Sequence, residues 1–145
     1  MEYEEITLDH LEKLAALYFE TFNAPPWNDR WTKETAEKRR HQMICTEDSF
    51  GLCAYEDSAL CGAILGCMEQ FYDGQMFNIK EFWVKNDLRG KGIGSRIFAE
   101  FERRLRERGI GSIILFTIKG DQTEHFYHKQ QMKSNPNMVF MEKQL

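Results

Sequence analysis

The 145-residue sequence predicts a single α/β domain, a mixed central sheet with helices on both of its faces. Three observations predict it. Between Phe50 and Val84, β-forming runs are separated by two tight-turn signals, Glu56-Asp57-Ser58-Ala59 and Asp73-Gly74, which fold them into antiparallel neighbours. Residues 95–108 then carry Ile97, Phe98, Phe101 and Leu105 on one helical stripe with charges elsewhere. A largely apolar run at 112–118 follows, and a strand reached through a helical crossover lies parallel to the strand before it.

In chain order, residues 4–7 form a short strand. Asp9 caps a helix bearing Leu11, Leu14, Ala15, Leu17, Tyr18 and Phe22 at helical spacing. Pro25-Pro26 stops that helix, because proline lacks an amide donor and restricts the residue before it, so residues 23–30 are a loop. Thr32, with Glu34 and Thr35 close by, opens a second helix to about Met43 whose polar character leaves it one packing side. Strands are expected at 50–55, 60–71 and 75–84, then the helix at 95–108, ended by Gly109. The strand at 112–118 is apolar enough to be covered on both faces. A short helix at 122–130, a polar turn at 134–137 and a last strand at 138–141 complete the order β-α-α-β-β-β-α-β-α-β. No repeat, linker or low-complexity segment divides residues 1–145.

Composition narrows the function. Hydrophobic residues at 42% and aromatics at 13% suit a packed core and exclude a disordered chain. A net charge of -4 argues against general nucleic-acid binding, which rests on clustered Lys and Arg. Arg103, Arg104, Arg106 and Arg108 are interleaved with Glu100, Glu102 and Glu107 and read as a solvated helix face. Cys45, Cys53, Cys61 and Cys67 form no C-x-x-C pair and complete no zinc spacing with the four histidines, so no metal is expected. No apolar stretch reaches membrane-spanning length and no leader-like segment opens the chain, which leads us to expect a cytoplasmic protein with reduced thiols.

The chemistry is carried by residues 82–94, where a strand runs into Arg89-Gly90-Lys91-Gly92-Ile93-Gly94 and then directly into a helix. Such a turn suits an anion. First-turn amides of a helix lack partners, the positive end of the helix dipole stands behind them, and glycines let a phosphate approach the backbone. A dinucleotide fingerprint fails, because its third glycine falls on Ser95 or Ile97. A Walker A loop fails as well, since Gly94 is followed by Ser95-Arg96 in place of Lys-Ser or Lys-Thr.

With Arg89, Gly92 and Gly94 after a strand ending in Val84, the turn resembles the GNAT superfamily of N-acetyltransferases, whose signature is Arg or Gln-x-x-Gly-x-Gly or Ala at a helix start. The segment His125-Phe126-Tyr127-His128-Lys129 is similar to that family's Phe-Tyr-x-Lys element, and the element order resembles the family fold throughout. The chain departs from the pattern in three segments. Asn86 stands where Pro is frequent, Gly120 and Thr123 replace Asn-x-x-Ala ahead of the tyrosine, and Gln131-Met132 replace a Gly-Phe pair, so the turn there lacks a glycine for a positive φ.

The resemblance implies acetyl-CoA as co-substrate, with its pyrophosphate on the amides of Arg89, Gly90, Lys91, Gly92, Ile93, Gly94 and Ser95. Its pantetheine arm would lie between a splayed parallel pair, 81–84 and 114–117, and act as a surrogate strand along Phe82, Trp83 and Val84. The Val84 amide would polarise the thioester carbonyl. Glu81, turned by strand alternation to the face opposite Phe82, is the first choice of general base for an amine that is protonated near neutrality. Tyr127 is the candidate acid for the departing thiolate. His125 and His128 read as surface residues of the short helix, and Glu69 and Glu124 as carboxylates without a placement.

Trp27, Asp29 and Trp31 border the acceptor groove in the resembled fold, where aromatic faces and one charge can hold a cationic amine; the tryptophans serve equally to close the core. The function implied is acetyl transfer to a primary amine of a small molecule, by direct attack in a ternary complex. A non-catalytic acyl-CoA sensor and a protein N-acetyltransferase are the alternatives. Exposed sheet edges and the resemblance together suggest a homodimer.

Overall fold

A computed structural model describes residues 1–145. Five strands, β1 (Glu2–Glu5), β2 (Ser49–Glu56), β3 (Ala59–Phe71), β4 (Gly74–Val84) and β5 (Ser112–Leu115), lie side by side in sequence order. The first three pairings are antiparallel and β4–β5 is parallel. On one face lie α1 (Leu11–Asn23) and α2 (Lys33–Ile44); on the other lie α3 (Ile93–Glu107) and α4 (Asp121–Lys129). The expected mixed sheet with helices on both faces is the observed one.

Local chemistry accounts for the punctuation. Asp57 and Ser58 both take positive φ, 48° and 64°, the twist that a two-residue hairpin between right-handed strands requires. Thr32 accepts the Thr35 amide at 3.1 Å and caps α2. Asp9 does not cap α1, which begins at Leu11 after a 3₁₀ turn over Leu8–His10 that Thr7 caps. Gln131 adopts φ 64° without being glycine, a left-handed conformation that costs about 1–2 kcal/mol.

Each face has its own core. Under α3, Phe101 stacks on Phe50 at 5.4 Å and meets Phe77 edge-on at 5.1 Å, with Ile79, Ile97 and Phe98 around them. Under α1 and α2, Leu14, Tyr18, Ala36, Leu65 and Trp83 form the second cluster. The outward side of α3 is a ladder of ion pairs in which Glu100 takes Arg103 and Arg104, and Glu102 takes Arg106, so the basic run is a solvated face as expected.

A β-bulge at Lys80 determines which β4 residue meets which core. Gly66 pairs with Ile79 and Leu65 with Glu81, leaving Lys80 unpaired. Phe77 and Ile79 belong to the α3 core, and beyond the extra residue Phe82 and Val84 continue on that side. Glu81 and Trp83 therefore turn towards α1 and α2. Opposite the bulge, a Cβ on Gly66 would lie 2.0 Å from the Asn78 carbonyl oxygen, so only glycine fits.

The bulge also bends β4 away from β5. Their pairing ends at Ile79 and Leu115, so β5 stops at Leu115 and does not run to 118. The strand expected at 138–141 is likewise not formed. From residue 133 onwards the only backbone–backbone hydrogen bond is a 3.4 Å one from Met138 N to Asn135 O. Met138, Val139, Phe140 and Met141 are exposed, and Phe140 meets Phe116 at 5.8 Å. Strand-forming composition marks a segment fit to pair, but a strand needs a ladder, and this one makes a ring contact in its place.

Candidate active site

The end of β4 supplies an open backbone edge. Lys85 N donates to Cys61 O at 2.8 Å, so antiparallel alternation sends the Trp83 and Glu81 amides into β3. The Phe82 and Val84 amides face the other way, where β5 has already diverged. An extended ligand arm could pair along those two residues as a strand would. Trp83, by contrast, has its amide in β3 and its side chain buried under α1.

The glycine-rich turn stands directly beyond this edge. A 3₁₀ turn over Asn86–Leu88 leads to Arg89, and Gly90 and Gly92 hold φ of 75° and 76°, with Gly92 as the cap of α3. Amides from Gly90 to Ser95 have no backbone acceptor, the condition for receiving an anion at a helix start. The space where Cβ atoms of Gly90 and Gly92 would lie is empty to 4 Å. Ser95 Oγ takes a 3.0 Å bond from Gln130 Nε2, tying the first turn of α3 to the end of α4. Phe126 rests against Gly94 and lies 5.6 Å from Phe82.

Glu81 and Tyr127 approach from opposite sides of the sheet. Tyr127 packs on Phe98 and Phe126, and burial raises its pKa to about 12, so the phenol keeps its proton across the neutral and mildly alkaline range. Glu81 is 8% exposed, with Oε1 accepting from Arg39 Nε at 2.6 Å and from Arg40 Nη2 at 2.9 Å. No hydrogen bond engages Oε2. Arg40 is fully buried, its guanidinium 4.0 Å from the Tyr18 ring and 5.3 Å from the Trp83 ring. Tyr18 is itself pushed up to about 12, first by burial and then by the neighbouring Glu81 charge.

Along the same face of β4 lies a polar strip that sequence reasoning did not assemble. Asn78 is buried and donates to Glu69 Oε1 at 3.0 Å, which gives Glu69 a place on the Glu81 side of the sheet. Arg39 and Arg40 were invisible as site residues because they sit in a helix of polar composition, some forty residues from Glu81. Among the acceptor-side candidates, Trp31 packs edge-on against Tyr18 at 5.0 Å, and its indole donates to Asp29 Oδ2 at 3.1 Å. Trp27 meets Phe22 at 5.2 Å, and the Arg89 guanidinium covers it at 4.0 Å. The loop after α1 is thereby joined to the glycine-rich turn. His125 and His128 are exposed, as expected. No cluster of residues suited to a metal is present, and no helix is long and apolar enough to cross a membrane.

Comparison with solved structures shows the same fold at low sequence identity. A possible acetyltransferase from Clostridium difficile 630 superposes with a TM-score of 0.83 at 15% identity, over 99% of this chain and 97% of that one. A ribosomal-protein-alanine N-acetyltransferase from Brucella melitensis biovar Abortus 2308 gives 0.77 at 15% identity, over 99% of both chains. An aminoglycoside acetyltransferase from an uncultured soil metagenomic sample, in complex with sisomicin, gives 0.76 at 15%, over 99% and 95%. A search of curated proteins finds no match. The profile of the acetyltransferase (GNAT) family matches residues 11–132, which takes in α1 to α4, strands β2 to β5, the glycine-rich turn and Tyr127. With that match across most of its length, the chain belongs to the GNAT acetyltransferase family and is an acyltransferase.

Proposed function

We propose that the chain transfers the acetyl group of acetyl-CoA to a primary amine of a small molecule, in a ternary complex without an acetyl-enzyme. The observation that carries this reading is the alignment of two unsatisfied backbone surfaces, the Phe82 and Val84 edge and the partnerless amides from Gly90 to Ser95. Together they fit a ligand with an extended amide-bearing arm and an anionic group at one end. Acetyl-CoA supplies an acyl group activated as a thioester. In this reading the Val84 amide donates to the thioester carbonyl oxygen, where negative charge develops. Glu81 takes the amine proton at Oε2, directly or through water, and Tyr127 gives its proton to the sulfur that leaves. Trp27, Asp29 and Trp31 border the entry of the amine. Four free cysteines suit a reducing, cytoplasmic setting, and the open β5 edge beside Phe116 and Phe140 is the surface on which a homodimer would form.

The test has two parts. CoA and acetyl-CoA should raise the melting temperature well above the effect of NAD or ATP, since a ligand that binds only the native state stabilises it by mass action. With a panel of amines, acetyl-CoA should release free thiol steadily. Stabilisation without thiol release from any amine would turn the reading to a binding module; equal stabilisation by NAD would remove the cofactor assignment.

Tyr127→Phe should lower turnover with acetyl-CoA by about two decades, the lower end of acid–base effects. An acyl thioester with a more acidic thiol should recover much of that loss. Because the wild-type phenol stays protonated to about 12, its contribution should not fade as pH rises from 7 to 10. A turnover limb lost with a midpoint near 10 in wild type and absent in Tyr127→Phe would contradict the buried-acid role.

A further inference from the structure

We propose that Arg39 and Arg40 make the acceptor site selective for a small molecule that carries a carboxylate together with its amine. This rests on the acetyl-transfer reading and names the substrate class of the same site. The starting point is a charge imbalance. Two guanidiniums converge on one carboxylate oxygen, Glu81 Oε1, at 2.6 and 2.9 Å, and neither arginine has a second ion pair. One positive charge beside β4 is therefore without an anion.

The imbalance is buried, which is what makes it informative. Arg40 has no exposed surface, and its Nε and Nη1 have no hydrogen-bond partner. The rings of Tyr18 and Trp83 offset part of the cost of that charge through their π faces but accept no ordinary hydrogen bond. A buried charge without a full set of partners is costly, and an incoming anion relieves that cost. Arg39 is the reachable member, with a side chain 42% exposed. Its guanidinium touches Glu81, so a carboxylate drawn to Arg39 arrives beside the carboxylate proposed to receive the amine proton.

An amino acid presents the complementary pair, its ammonium to Glu81 Oε2 and its carboxylate to Arg39. The chain as a whole does not attract the ligand's carboxylate, for its net charge is -4. Selectivity for the carboxylate must then come from this local excess of positive charge. A planar guanidinium is also suited to a carboxylate, since its donors match the two oxygens as a fork.

Matched pairs of acceptors test the proposal: lysine with 1,5-diaminopentane, and phenylalanine with 2-phenylethylamine, each pair differing by the carboxylate. The wild-type enzyme should favour the carboxylated member by at least about tenfold in kcat/KM, the scale of one charge-assisted hydrogen bond. Arg39→Gln should raise KM for the carboxylated member by about 10- to 100-fold and leave KM of its partner unchanged, while any effect on kcat through Glu81 is shared by both. Methyl esters should behave as the decarboxylated amines do. Equal kcat/KM within each wild-type pair overturns the proposal, and so does an Arg39→Gln change in KM that is the same for both members. Calorimetry of lysine and 1,5-diaminopentane binding in the presence of CoA separates the two readings. Carboxylate-dependent binding that Arg39→Gln abolishes, without acetyl transfer, would support the anion site and sink the transfer. Transfer without any carboxylate preference would do the reverse.

Discussion

Glu81→Gln is expected to lower the melting temperature by roughly 10 °C and turnover by roughly two to four decades, two losses with different causes. The stability loss follows from the buried ion cluster. Glutamine keeps an oxygen for Arg39 and Arg40 but removes the one negative charge they share, and Arg40 is fully buried. Breaking one partner out of a buried pair costs about 3–5 kcal/mol. The turnover loss follows from the missing base. It should narrow as pH approaches the amine's own pKa, near 10 for an alkylamine, because the acceptor then arrives deprotonated. Assays run below the variant's melting temperature, over a range of pH, separate the two effects. An unchanged melting temperature would mean that the triad adds nothing to the fold. Near-normal turnover at all pH values would move the base elsewhere, with Glu69 foremost because it shares the face of Glu81 and is held by Asn78.

Gly92→Val should abolish the rise in melting temperature produced by CoA. In wild type, ligand at about a hundred times Kd contributes about 2.7 kcal/mol, or roughly 8 °C for a chain of this size. Gly92 is the cap of α3 at φ 76°, a conformation that a β-branched residue resists. Its missing Cβ faces empty space, so the change strains the turn and fills the phosphate approach without disturbing the core. The unliganded variant should lose only a few degrees. Gly94→Val is a less direct test, since a Cβ there already meets the Phe126 ring at 3.2 Å. A Gly92→Val protein that keeps its full CoA response would remove the phosphate-cradle assignment.

What could be read from the chain was local. The glycine-rich turn, the stripe of Ile97, Phe98, Phe101 and Leu105, and the hairpin turn at Asp57-Ser58 each encode their geometry within a few neighbouring residues, and each folds as expected. The Lys80 bulge could not be read. An inserted lysine has no propensity that marks it, and the glycine that permits the bulge, Gly66, is its neighbour only once β3 and β4 have paired. The surroundings of Glu81 were hidden for the same reason, since both arginines come from α2 on the far side of two strands. The final strand was over-read: Met138 to Met141 have the right residues, but composition cannot say whether an edge is within reach. Gln131 shows the opposite failure, a non-glycine residue accepting the backbone angle that its replacement of glycine argued against.

The bulge gives β4 a property that sequence variation would expose unevenly. Lys80 is exposed and unpaired, so exchanging it for another polar residue should leave few traces. Deleting it would leave Gly66 opposite Ile79 and Leu65 opposite Glu81 as consecutive pairs, a regular ladder in which Glu81, Phe82, Trp83 and Val84 keep their sides. What a deletion removes is the extra residue that bends β4 away from β5, and with it the open backbone edge along Phe82 and Val84. Among natural variants of this chain, position 80 should therefore tolerate almost any polar residue, and a gap there should spare the cores and cost the ligand edge.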